Sequence, residues 1–297
     1  MRIKVILFLL LLVFALPPLP GFGADWIDFP AALIRNIPPR PWAALSGSEF
    51  ARSILRMDGT QREQAILDQF LAGNIPDFLR RLRPIFLSHQ FENGKSFTAA
   101  LSAMPDYLAI GSDRDFLRIP MNLYTAMEIA KRYGFFLPTR KIVDAIFSQS
   151  AFRLSPQPMP PGPRMRSTAY YLEHNQRIRK QRLTLGFPLG ELVAGHKKDV
   201  VMTSRLVPEK GKIAIYGWHR PSGVPIQPLS TIHNAFYADY SHGVRFISDR
   251  IFLNGESRLF YEILEDPAMA KVLSDEGAIR QVRSFITARR QSAAKHG

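Results

Sequence analysis

The sequence predicts an α+β fold with a helical N-terminal half, a mixed, mainly antiparallel sheet in the C-terminal half, and C-terminal helices. Three observations carry this. Capped segments with helical periodicity precede the middle of the chain, and strand-like patterns follow it. Between them Ser155–Pro163 (SPQPMPPGP) places five prolines in nine residues, which form no regular helix and read as an extended crossing.

The chain begins with a basic start, Arg2 and Lys4, followed by the unbroken apolar run Val5–Leu16. Twelve helical residues rise about 18 Å, short of the roughly 30 Å hydrocarbon core, so the run fits a signal-peptide core better than a membrane span. Pro17, Pro18 and Pro20 stop it, and Gly21, Gly23 and Ala24 offer small residues for cleavage. Residues 1–23 therefore read as a secretory signal peptide, with a periplasmic or secreted product starting near Ala24 or Asp25. No later stretch approaches 18 apolar residues, so no transmembrane span is expected after cleavage. Residues 24–297 read as one α+β domain: a helical part 24–154, a Pro-rich strap 155–165, a helix and sheet part 166–265, and C-terminal helices 266–297.

Within the helical part, Thr60 with Glu63 reads as a capping box opening Gln61–Ala72, closed by Gly73 or Asn74. Asn122 caps Leu123–Tyr133, which Gly134 ends, and Thr139 caps Arg140–Ser148. Ser96–Ala100 and Tyr107–Ile110 read as strands, and Phe116–Met121 as an extended connector. After the prolines, Ser167 caps a basic helix reaching about Leu183. Val200–Ser204, Lys212–Trp218 and Gly243–Ser248 are the best later strands. Both faces of Lys212–Trp218 are apolar or aromatic, which suits a central strand. Ser257–Leu264, Pro267–Ser274 and Glu276–Ser292 complete the pattern as helices.

The chain contains no cysteine, which removes thiol nucleophiles, thiolate ligands, disulfides and any lipid-acceptor thiol. Its formal net charge is +14, and loss of Arg2 and Lys4 with the leader lowers this by two. Such a charge attracts polyanions. For an exported chain the expected partner is an anionic envelope polymer or peptide rather than nucleic acid, and the same charge suits a peripheral contact with a membrane surface.

Four of the seven histidines fall within residues 196–242. Three polar blocks sit there beside expected strand ends: Gly195–Asp199 (GHKKD), Trp218–Arg220 (WHR) and Asp239–Gly243 (DYSHG). If the first two strands pair antiparallel, His196 or Asp199 comes near His219. A third strand antiparallel to the second would add His242. The candidate catalytic residues are thus His242, His219, His196, Asp199, Asp239 and Tyr240, with Lys198, Arg220, Trp218 and Tyr216 as substrate contacts.

Two chemistries suit the set. In one, His196, His219 and His242 hold Zn²⁺ and an activated water. In the other, no metal takes part: an Asp orients a His that acts as general base, while Tyr240, Lys198 or Arg220 stabilises developing negative charge. Both describe an envelope hydrolase acting on an anionic glycan or peptide. The competing class is a non-catalytic binding or assembly protein in which Tyr216, Trp218, Phe236 and Tyr240 stack on a polymer. Two further features read as structural: Asp113 and Asp115 of GSDRDF as turn residues ahead of any Ca²⁺ or amine site, and His89, His174 and His296 as ordinary surface or helix residues.

Overall fold

The computed structural model describes Pro30 and residues 33–209 and 211–282. The expected signal peptide, His296 and the part of Glu276–Ser292 beyond residue 282 lie outside these.

Local signals set the helices. Ser46 caps α1 (Gly47–Ser53) through a capping box with Glu49. The box opening α2 (Gly59–Leu71) is formed by Asp58 and Gln61, two residues ahead of the expected Thr60 and Glu63. Glu63 is buried instead and accepts the backbone N–H of Asn122 at 3.1 and 3.2 Å, tying α2 to the start of the next helix. That helix, α3 (Leu123–Tyr133), has the expected Asn122 cap and ends on Gly134 in the left-handed region. Thr139 caps α4 (Arg140–Gln149), and Ser167 caps α5 (Thr168–Thr184). The last helix, α6, is short, Phe260–Glu265.

The expected helical N-terminal half is overturned. Helices are spread through the chain, and the first half supplies half of the largest sheet. β1 (Arg83–Gln90) and β2 (Ser96–Ala103) form a long antiparallel hairpin, and β5 (Phe135–Phe136) joins the same sheet. The other strands of that sheet come from the far end of the chain: β12 (Ile247–Ser248), β13 (Arg250–Leu253) and β14 (Glu256–Leu259), with β12 and β13 both pairing on the free edge of β2. The sequence shows the strand at Ser96–Ala100 but not its hairpin mate β1, and the expected strand stops short of Leu101–Ala103, where β2 is buried at every position and shows no alternation. Likewise Ser257–Leu259, expected as helix, continues β14, and Pro267–Ser274 contains only the 3₁₀ turn Ala270–Val272.

Short pairs complete the frame. β3 (Ala109–Gly111) pairs antiparallel with β4 (Phe116–Arg118), and β6 (Phe152–Arg153) pairs parallel with β7 (Val193–Ala194). The Pro-rich segment lies against the body at Met159, which is buried and whose backbone N–H and C=O both bond the Tyr240 hydroxyl, at 2.8 and 3.2 Å.

The second sheet runs β10-β9-β8-β11, from β10 (Pro225–Ser230), β9 (Ile215–His219), β8 (Lys198–Val200) and β11 (His242–Gly243). As expected, β9 is central and buried throughout; it runs antiparallel to β8, with Lys198 opposite Gly217, which meets the condition for bringing Asp199 near His219. The third block departs from expectation. β11 pairs parallel with β8, not antiparallel with β9, setting His242 beside Lys198. Among the described residues no helix is long and apolar enough to cross a membrane.

Candidate functional site

The second sheet gathers the three polar blocks at one end but sends their histidines to three different surroundings. His196, Asp199, Tyr107, Asp106, Arg118 and Arg245 form a fully buried network. Arg118 bonds Asp106 through two nitrogens at 2.5–3.2 Å, and His196 Nε2 lies 3.0 Å from Asp106 Oδ1. The Tyr107 hydroxyl donates to Asp199 at 2.8 Å, with the Arg245 guanidinium over the Tyr107 ring. Burial opposes charge on Asp106, yet Arg118 and His196 hold its carboxyl far below the usual range. The His196 imidazole is pushed down to about 4, chiefly by burial, with Asp106 opposing. Every member is at most 3% exposed, and both carboxylates have hydrogen-bond partners inside the network, Asp106 with Arg118 and His196 and Asp199 with Tyr107.

His219 stands on the other side of Asp199. Gly217 and Trp218 at the end of β9 both have positive φ, 104° and 55°. A Cβ at Gly217 would lie 3.2 Å from His219 Cε1 and 3.5 Å from Asp199 Oδ2, so glycine provides the space in which these two side chains approach. His219 Nε2 then meets Asp144 at 2.9 Å, and the Tyr216 hydroxyl donates to the same carboxylate oxygen at 2.9 Å. Phe147 stacks on the His219 ring at 4.6 Å. Burial raises the Asp199 carboxyl to about 6, against the pull of Arg245 and the Tyr107 bond. Asp144, on α4, gave no signal in the sequence: only the packing of that helix against β9 brings it in.

The third environment is buried as deeply, with Asp239 at 1% and His242 at 0% exposure, but it borders the half-buried Lys198, His233 and Tyr237. Asp239 Oδ1 accepts both the backbone N–H (2.8 Å) and the hydroxyl (2.6 Å) of Ser241, and the Tyr237 hydroxyl donates to Oδ2 at 3.1 Å. His242 Nε2 lies 3.8 Å from Oδ2, within ion-pair range but beyond a hydrogen bond, and neither His242 ring nitrogen has a partner. Its ring is completely buried. Burial is the main reason that it titrates well below an ordinary histidine, with Asp239 pulling the other way. Above it, His233 stacks on Tyr237 at 3.9 Å and stands 6.2 Å from His242. The half-buried Lys198 holds its ammonium 5.0 Å from the Trp218 ring, and burial lowers its pKa. The exposed Arg166 lies over the Tyr237 ring at 5.4 Å. Fixed carboxylate, orphan imidazole and a cationic, half-open rim therefore converge here. Ser241 is committed to Asp239, so it forms no dyad with His242.

The zinc set is not assembled. His196, His219 and His242 face Asp106, Asp144 and Asp239 respectively, and among the described residues no group of three or more His, Asp or Glu side chains is placed to hold a metal ion. The stacking platform is not presented either. Tyr216, Trp218 and Tyr240 are buried, Tyr240 being spent on Met159, while Phe236 alone of the four is exposed, at 51%. Arg220 is exposed and its backbone closes the β9–β10 turn with Val224. His174, read as an ordinary surface or helix residue, lies in α5 and is fully buried beside Trp218 and Tyr240. Asp113 and Asp115 do structural work, as expected, accepting the N–H groups of Phe78 and Ser48. His233 and Tyr237 were legible only as loop residues, since stacking across the loop is not a sequence pattern. No family model matches the chain, and neither the curated proteins nor the solved structures include a significant match.

Proposed function

We propose that the chain is an exported hydrolase of the cell envelope that uses His242 and Asp239, without a metal ion, on an anionic glycan or peptide. One observation carries the reading: a buried imidazole with both nitrogens unpartnered, beside a carboxylate fixed by three donated hydrogen bonds, beneath a rim of Lys198, His233 and Tyr237. A buried polar group left open needs a reason, and a reacting water or substrate atom supplies one. Being neutral near pH 7, His242 accepts a proton from water as the oxygen adds to the scissile centre. Asp239 stabilises the resulting imidazolium, which then gives the proton to the leaving group. Lys198 offers its ammonium to the negative charge that develops between these steps.

The test is release of soluble fragments from purified cell-wall polymer by the wild type, His242→Ala and Asp239→Asn, with folding checked by circular dichroism. Release should vanish in His242→Ala and fall by about two to four orders of magnitude in Asp239→Asn. Undiminished release by both folded variants would sink the assignment, and polymer binding without release by the wild type would favour a binding protein.

A further inference from the structure

We propose that a second pocket, next to Asp239, binds an anionic group, a carboxylate or a phosphate. The pocket has a volume of about 190 Å³ and is lined by Gly59, Thr60, Arg62, Glu63, Asn122, Arg166, Phe236 and Ala238. That is room for about six water molecules at liquid density, enough for either group and the first atoms attached to it.

Two independent features point to an anion. Gly59 and Thr60 are the first residues of the thirteen-residue α2, so their N–H groups have no partner inside the helix and carry its positive end. Arg62 is the second. It is 8% exposed, its Nε has no hydrogen-bond partner, and its guanidinium is held over the Tyr171 ring at 5.1 Å while NH1 donates to the Arg166 carbonyl at 3.0 Å. A buried guanidinium nitrogen without an acceptor is costly unless something else supplies one. The exposed Arg166 adds a second cation to the lining.

The acidic groups nearby are engaged. Asp58 caps α2 by accepting from Gln61 N at 2.8 Å, and Glu63 accepts from Asn122 N with both oxygens, which uses the start of α3. What remains for a ligand is the α2 terminus and two guanidinium groups.

The pocket also adjoins the His242 site. Ala238 lines it and precedes Asp239. The Tyr171 hydroxyl donates to the Ala238 carbonyl at 3.1 Å, and Arg166 reaches from the pocket over Tyr237. If the hydrolase reading holds, the pocket seats the charged group of the substrate; its anion binding stands without that reading.

The experiment is an NMR titration of the ¹⁵N-labelled mature chain with inorganic phosphate and, separately, acetate, against sodium chloride at matched ionic strength. Saturable shifts of the Gly59 and Thr60 amides are expected with phosphate or acetate and not with chloride. Arg166→Gln, on an exposed side chain, should weaken the binding about tenfold, and Arg62→Lys, which keeps the charge but loses the fork, should weaken it too. Shifts that never saturate, that chloride reproduces, or that Arg166→Gln and Arg62→Lys leave unchanged would overturn the proposal. Because binding and not turnover is read, a failed hydrolase assignment would leave this result untouched.

Discussion

Replacing Asp106 by asparagine separates scaffold from site. The carboxylate accepts three close approaches from Arg118 and one from His196, and both Arg118 and Asp106 are almost wholly buried. Asparagine keeps the shape but removes the charge, leaving a guanidinium inside the protein without its counter-ion. Breaking a buried pair from one side costs about 3–5 kcal/mol, a large part of the roughly 5–15 kcal/mol that holds a domain folded. In urea, with a slope of about 3 kcal/mol per molar, the unfolding midpoint should fall by about 1–1.7 M. The pH dependence supplies a second check. The folded Asp106 carboxyl lies far below its unfolded value of about 4, so its contribution is complete above pH 4 and is lost as pH falls below that. Asp106→Asn lacks this loss, so the gap between the two proteins should narrow in acid. Arg118→Met added to Asp106→Asn should recover part of the stability by removing the stranded charge. A cost below about 1 kcal/mol, or a gap that does not narrow below pH 4, would show that the pair is not the anchor described.

Three further outcomes are expected. Asp58→Ala should lose about 1 kcal/mol by removing the α2 cap, whereas Thr60→Ala should stay within about 0.5 kcal/mol; the reverse order in chemical denaturation would restore Thr60 as the cap. Gly243→Ala should cost about 1–3 kcal/mol, since its Cβ would come within 2.5 Å of Tyr107 Cδ1 and 2.8 Å of Lys197 Cβ, and an unchanged melting temperature would contradict that packing. His174, buried with both ring nitrogens unpartnered, titrates far below an ordinary histidine because of burial and then Lys197. The unfolded chain therefore takes up its proton first as pH falls through about 6.5, and His174→Phe should gain on the wild type by up to about 2 kcal/mol between pH 6.5 and 5; melting curves that keep a constant separation would refute this.

Helix starts were readable because a cap is a local device. Asn122, Thr139 and Ser167 each bond an N–H three residues on, within reach of their own chain segment. Asp58 escaped because two overlapping cap patterns stood two residues apart, and what decided between them was Glu63 bonding Asn122, 59 residues away. The polar blocks around His196, His219 and His242 were visible as composition beside strand ends, whereas the antiparallel pairing of β8 with β9, across residues 201–214, entered only as a condition. Which histidine meets a carboxylate at hydrogen-bond distance and which is left unpartnered was not visible. It depends on Asp106, Asp144 and Asp239, and the first two lie 90 and 75 residues from the imidazoles they meet.

The sequence by itself determined the absence of cysteine, the basic charge, the caps at Asn122, Thr139 and Ser167 and a buried β9, because composition and short-range hydrogen bonding need no partner from elsewhere. Tertiary structure alone decided that β2 sits between its hairpin mate and strands from the other end of the chain, that β11 runs parallel to β8, and that the buried His242 is left without a hydrogen-bond partner beside Asp239. Those are properties of which surfaces meet. Burial and strand order fix them only when both halves of the chain are packed together.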